Sequence, residues 1–307
     1  MQTRRLNSAP STLPLYLRAI APLIPGASRL PFVGGGGGEI PQLELTLEHA
    51  GVEPQRLASY EEVCGFTPTD ALPATYPHML AFPLHMALMT DGSFPFPAIG
   101  LVHISNEITQ HRRLSRHESF DLRVYPTALE PHPRGRSFSL ISQARVAGEL
   151  VWEERSTMLR RGRSSDAGTP SKKTPQTEQA PLPAQEEWQL AGDLGRRYAA
   201  VSGDRNPIHL HPVTAKPLGF SSAIAHGMWT KARCLAALQQ RLPDRFTVEV
   251  RFRAPIALPG KVAFASAADG EAIRFSVRDD VRDTPHLEGR LQAIAGNTNT
   301  SEESDTP

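Results

Sequence analysis

Residues Tyr198 to Arg233 read YAAVSGDRNPIHLHPVTAKPLGFSSAIAHGMWTKAR. A carboxylate, Asp204, stands five residues before an imidazole, His209, with Asn206-Pro207 between them. Partners on one helix face sit three or four residues apart, so this spacing does not stack the two side chains on a helix. Pro207 fixes its own φ and pushes Asn206 out of the helical region. Ser202-Gly203 reads as the end of a short helix, with Gly203 free to take a left-handed C′ conformation. The expectation is a rigid loop that aims two titratable groups at one point. Farther on, Ala225-His226-Gly227-Met228 opens a mostly apolar run to Leu242. Gly227 would let a ligand approach the unpaired N–H groups of a helix start.

An acid–base pair facing helix-terminal donors suits chemistry beside a thioester carbonyl. Adding water across a 2-enoyl thioester takes one proton from water and delivers one to Cα. Negative charge meanwhile grows on the carbonyl oxygen and needs donors already in place. The stretch closely resembles the signature of the MaoC-like, or R-specific enoyl-CoA hydratase, family. The matching residues are Ser202-Gly203-Asp204, Asn206-Pro207, His209, Gly219-Phe220, Ile224 and His226-Gly227-Met228. That resemblance implies a hot-dog fold, in which an antiparallel sheet wraps around one buried helix.

Working outward, the chain of 307 residues can hold one large domain or two of ordinary size. A formal charge of +1 speaks against a nucleic-acid-binding surface spread over the whole chain. Cys64 and Cys234 make neither a metal spacing nor a disulfide framework, which favours a reducing compartment. No apolar run approaches the length of a membrane span. The first 38 residues carry Arg4, Arg5, Arg18 and Arg29 and no acid before Glu39. Pro14 and Pro22 interrupt their apolar part, however, and no cleavage site follows, so a cytoplasmic protein is expected.

Before the signature, Leu13 to Ile24 reads as a short packed segment, and the glycine run Gly34 to Gly38 as a flexible connector. It is not a P-loop, because no Lys-Ser/Thr follows it. Leu43, Leu45 and Leu47 alternate with polar residues as in a half-buried strand. Tyr76 to Met89 is apolar on nearly every side and predicts a buried helix, kinked or restarted at Pro83. Its methionines suit either an adaptable acyl pocket or plain core filling. His78 and His85 lie seven apart on roughly one face, and without a third ligand they read as core or rim residues rather than a metal site. His103 reads as a pocket-wall or core residue. Strands follow at Leu101–Ser105 and Phe120–Val124, then a hairpin of Ser137–Ala147 and Leu150–Leu159 around Gly148-Glu149. The basic cluster His111-Arg112-Arg113 with Arg116-His117 is either a solvated loop or a contact for coenzyme A phosphates or an acyl carrier protein.

Gly162 to Glu187 turns polar and reads as a linker. The order then repeats: a short helix (Asp193–Val201), the Asp–His loop, a buried helix (Met228–Leu242), and strands Thr247–Arg253, Lys261–Ala267, Glu271–Arg278 and Leu287–Ile294. The expected fold is therefore α+β, two hot-dog domains fused in one chain. The expected boundaries are 1–161 for a degenerate first domain, 162–187 for the linker, 188–296 for the catalytic domain and 297–307 for a polar tail. The first half has no D-x-N-P-x-H; Phe66 to Pro77 offers only Asp70 as an acid.

The resemblance implies a hydratase or dehydratase that interconverts trans-2-enoyl and 3-hydroxyacyl thioesters without metal or redox cofactor. Asp204 and His209 would share the acid and base roles, and the Gly227 N–H would hold the thioester oxygen. Asn206 either orients the pair, binds water or stabilises the turn. His226 either touches substrate or holds the loop, and Arg253 either approaches the pantetheine phosphates or is plain solvated surface. The expected partner is an acyl-CoA or acyl-carrier-protein thioester, bound by a monomer of pseudo-dimeric fold or by a homodimer. A hot-dog thioesterase, or an acyl-thioester binding protein without catalysis, are the other readings.

Overall fold

Alternating apolar and polar residues build most of this molecule, and two apolar helices fill it. The structure, a computed structural model, describes residues 1–20, 38–162 and 182–295. Gly34–Gly37, the end of the Leu13–Ile24 segment, most of the expected linker and the tail lie outside the described residues.

The first half runs through β1 (Gln2–Leu6), α1 (Thr12–Ile20), β2 (Leu43–Gly51), α2 (Pro54–Cys64) and α3 (Tyr76–Met89). It continues with β3 (Leu101–Gln110), β4 (Ser119–Pro126), β5 (Glu130–His132), β6 (Gly135–Val146) and β7 (Glu149–Arg161). The second half holds β8 (Glu186–Leu190), α4 (Leu194–Ser202), α5 (Pro207–Leu210), α6 (Pro212–Ala215), β9 (Ala223–Ile224) and α7 (Gly227–Ala237). It ends with β10 (Phe246–Phe252), β11 (Ala257–Leu258), β12 (Gly260–Asp269), β13 (Ala272–Asp279) and β14 (Pro285–Ala293).

One sheet carries both halves, in the order β1-β2-β4-β6-β7-β3-β10-β14-β13-β12-β8, with β5 on β6. Apart from the parallel β1–β2 pair its ladders are antiparallel. The halves meet where β3 pairs with β10, from Gln110 against Phe246 to Ser105 against Arg251. In β10, Val248 and Val250 are fully buried while Glu249 and Arg251 are not, which is the period-2 pattern of a strand with one wet face. Helix α3 packs on β2, β4 and β6, and α7 packs on β13. A continuous core runs from Tyr76, Met79 and Leu84 of α3 to Trp229 and Leu235 of α7. This is the expected α+β hot-dog architecture, present twice.

Several details differ from the sequence expectation. Helix α3 runs on through Pro83 rather than restarting there; the packing of its side chains, all buried but Ala87, offsets the hydrogen bond that proline cannot donate. The β6–β7 turn is Ala147-Gly148, one residue earlier than expected, with φ of 49° and 83°. A two-residue turn with both φ positive matches the twist of the strands it joins. Helix α7 ends at Ala237, and a 3₁₀ turn at Gln239–Arg241 follows. Strand β8 begins at Glu186, inside the segment expected as linker. Edge pairing with β12 accommodates two glutamates there, since one face meets water.

Candidate active site

Helix α4 ends at Gly203, whose φ of 77° closes the helix in the left-handed conformation and turns the chain toward Asp204. The Asp204 N–H then donates to Ser202 Oγ at 3.0 Å. His209 is not on a loop as expected but on the one-turn helix α5. Pro207 supplies the first-turn φ, and the Asn206 side chain caps it by accepting from the Ile208 N–H at 3.4 Å. Gly195 at the start of α4 lets this turn dock closely, since a Cβ there would sit 1.9 Å from the His209 carbonyl oxygen. No sequence spacing pointed to Gly195.

The carboxylate and the imidazoles converge. Asp204 Oδ1 accepts from the Tyr16 hydroxyl at 2.6 Å and from the Asn206 N–H at 3.1 Å. Asp204 Oδ2 lies 3.9 Å from His226 Nε2. His226 Nε2 donates to the Asp204 backbone carbonyl at 3.0 Å, and the His226 ring stacks on His209 with centroids 3.7 Å apart. His209 Nδ1 donates to the Ile224 carbonyl at 2.8 Å, which fixes the tautomer of the neutral ring with Nε2 as its acceptor. Tyr16, from α1, precedes Asp204 by 188 residues and was missed by sequence reasoning, because it belongs to no motif.

Burial works against the Asp204 charge, but the facing His226 and His209 rings, the Tyr16 hydroxyl and the Asn206 N–H outweigh it. They hold the carboxyl below its ordinary range. Desolvation pushes His209 down, against the opposing pull of Asp204, and carries His226 to about 3. The pair therefore rests as a carboxylate beside a neutral imidazole.

Both groups line a cavity of about 400 Å³. Its lining also takes in Phe82, Met86 and Met89 of α3, Ile99 of the loop that follows, and Leu101 and Val102 of β3. Gly227 lines it too, at the first turn of α7, where backbone N–H groups have no intrahelical acceptor. A Cβ on Gly227 would lie 2.9 Å from the Phe252 ring, so this helix start is packed as closely as a glycine permits. Arg253 lines the cavity, but its guanidinium is paired with Glu288 at 2.6 Å. Three members of the basic cluster are likewise paired: Arg112 with Glu118 and Glu149, Arg116 with Glu61 and His111 with Glu153.

Among the described residues, two triplets bring possible metal-ligand atoms within 4.8 Å of one another: Asp204, His209 and His226, and His78, His85 and Glu154. In the first, His209 Nδ1 and His226 Nε2 already donate to carbonyls. In the second, His78 is bonded to Glu154 and His85 to Ser142. No described helix is long and apolar enough to cross a membrane.

Residues 173–289 match the family model described as "MaoC like domain". The chain is 34% identical over 285 residues to 3-hydroxyacyl-thioester dehydratase X of Mycobacterium tuberculosis, covering 93% of this chain and 99% of that protein. The crystal structure of HtdX from the same organism superposes with a TM-score of 0.73 at 32% identity, over 82% of this chain and all of that one. A further M. tuberculosis protein, described as a double hot-dog fold, matches with a TM-score of 0.51 at 12% identity, over 85% of this chain and 96% of that one; it speaks to fold alone. The length of the first match, and the dehydratase signature lying within it, identify this chain as a member of the MaoC-like dehydratase family.

Proposed function

We propose that this hydro-lyase interconverts trans-2-enoyl and 3-hydroxyacyl thioesters, with Asp204 and His209 as its acid–base pair. The observation that carries the reading is the convergence of a carboxylate and an oriented imidazole on one cavity with the Gly227 helix start. Asp204 Oδ1 is taken up by two donors, which leaves Oδ2 as the oxygen free to take a proton. Water held between Asp204 and His209 loses a proton to the pair as its oxygen bonds C3. The same proton is then returned to C2, so atoms and charge balance without an outside acid. Charge developing on the thioester oxygen meets the Gly227 N–H. Dehydration runs the steps in reverse. Two groups this closely coupled act as one unit with shared titration.

The first half supplies the acyl wall and no second D-x-N-P-x-H, which supports one reacting centre per chain. The carrier's phosphates would meet Arg134 and Arg161; both line the cavity, and among the described residues neither is in an ion pair. We favour coenzyme A as the carrier and the cytoplasm as the setting, where the buried, unpaired Cys64 and Cys234 would stay reduced.

The test is turnover of a panel of enoyl and 3-hydroxyacyl thioesters, with products identified by mass, by wild type, Asp204→Asn and His209→Gln. Each substitution keeps a polar side chain and is expected to lower kcat by roughly 10²–10⁴-fold with binding and melting temperature little changed. The double variant should be hardly worse than the poorer single. Folded single variants with near-normal hydration would sink the assignment, and release of free thiol in place of hydration would point to a thioesterase.

A further inference from the structure

Helix α3 brings a polar pair to the cavity that the hydration chemistry does not use. His78 lines the cavity, and its Nδ1 donates to both oxygens of Glu154, at 2.8 and 3.0 Å. Glu154 comes from β7 and its side chain has no exposed surface. Burial works against its charge, yet His78 and the Asn106 amide hold its pKa down to about 2. An ionised carboxylate has no proton to give, so the Nδ1 proton belongs to His78 and the tautomer is fixed.

The carboxylate is itself held from behind. The Asn106 amide donates to Glu154 Oε1 at 2.6 Å and to Ser156 Oγ at 2.9 Å, and the buried Lys231 ammonium donates to the Asn106 carbonyl at 3.2 Å. These groups come from β7, β3 and α7, so both halves of the chain brace one ring. A ring braced in this way keeps its orientation when a ligand arrives.

Its other nitrogen is open. The His78 side chain keeps 8% of its surface while Glu154 keeps none, so the exposed edge is the one away from Nδ1. Among the described residues, the side-chain atoms that are both sealed from solvent and unpaired include His103 Nε2 and His226 Nδ1 but not His78 Nε2, which bonds to no described residue either. Nε2 therefore reaches the cavity. The neutral ring offers a lone pair there, and the charged ring an N–H. A hydroxyl, donor and acceptor at once, pairs with either. An alkyl chain pairs with neither and would strip Nε2 of water.

The ring stands near the reacting centre without belonging to it. His78, Phe82, Met86 and Met89 follow one another along one face of α3, and all four line the cavity. Phe82, one turn beyond His78, lies 4.0 Å from where a Cβ on Gly203 would stand, next to Asp204. We propose that His78, oriented by Glu154, is a hydrogen-bonding subsite for a hydroxyl carried by the acyl chain beyond C3. This rests on the reading of the cavity as an acyl-thioester site. It makes His78 a specificity-determining residue that selects hydroxylated acyl chains by a group remote from the C2–C3 bond.

Calorimetric titration of the full chain with saturated, unreactive acyl-CoA compounds tests this without relying on turnover. The series carries no hydroxyl, or one hydroxyl at successive carbons beyond C3. Wild type is expected to bind one positional isomer about tenfold more tightly than the plain chain. His78→Asn keeps an N–H where Nδ1 stood, and so keeps Glu154 paired, but it has nothing at the place of Nε2. It should erase the preference. Equal wild-type affinities throughout the series would overturn the inference, and that comparison needs no variant. A preference that survives in folded His78→Asn would overturn it too, as would a uniform loss of affinity across the series. Wild type binding no thioester at all would instead remove the functional reading beneath it.

Discussion

Asp204 is held by a hydroxyl from α1 as well as by its own neighbours in sequence, Ser202 and Asn206. Tyr16 is buried, and Thr12 of the same helix lies where a Cβ on Gly203 would meet it, 3.4 Å away. Tyr16→Phe removes the hydroxyl alone. The bond favours the ionised carboxylate, so its loss should raise the pKa of Asp204 and move the acid limb of the kcat/KM profile to higher pH. Wild type itself should keep that limb below the ordinary imidazole range, because His209 is pushed down. A Tyr16→Phe profile superimposable on wild type would leave Tyr16 only a packing role. Gly195→Ala is harsher, since its methyl would meet rigid backbone at His209. A stability loss of about 3 kcal/mol, at the upper end for overpacking, is expected in denaturant unfolding, together with a fall in kcat.

At the scale of elements, α3 does the work of both core and cavity wall. It presents His78 and His85 along its length, and its last turn holds Met86 and Met89, which pack with Leu15, Tyr16 and Ala19 of α1. Met86→Trp or Met89→Trp should shorten the preferred acyl chain while leaving turnover of the shortest substrate within a few fold. Steady-state rates over a chain-length series check this, and an equal loss at every length in a folded protein would remove α3 from the acyl wall. The sequence showed α3 as buried but left its methionines open between core and pocket. Helical periodicity says which residues point inward, and not whether the inside is filled. Elements of one turn, such as α5, were read as loop because four residues carry no periodicity.

For the whole molecule, the seam between halves has polar content that hydrophobic patterning does not reveal. The Lys231 ammonium is fully buried and donates to the Asn106 carbonyl of β3 and the Val248 carbonyl of β10, at 3.2 and 3.0 Å. Around it and the active site, burial holds several histidines neutral: His85 and His226 at about 3, His103 at about 4, and His209 below its usual value. Each of these folded-state values lies below the unfolded one, so the unfolded chain binds the extra protons. Stability from these groups is whole above pH of about 6.5 and is lost as pH falls from there toward the folded values, by up to about 1.4 kcal/mol per pH unit for each group. Melting temperature measured by calorimetry should therefore drop steadily between pH 7 and 5, before most carboxylates titrate. A flat profile there would mean that these rings can charge inside the fold.

The sequence by itself determined the fold class and the second-half signature. Strand alternation, two apolar helical runs and D-x-N-P-x-H are local patterns, readable because side-chain period follows backbone geometry. It also singled out Asp204, His209 and Gly227, which the fold brings to one cavity. Only the tertiary structure decided what surrounds them. Tyr16 reaches Asp204 across 188 residues, Gly195 yields to the His209 backbone, and Glu288 takes up Arg253. The partner of His78 is of the same kind: Glu154 comes from β7, 76 residues away. Contacts between residues distant in sequence carry no periodicity or spacing, so no local pattern encodes them.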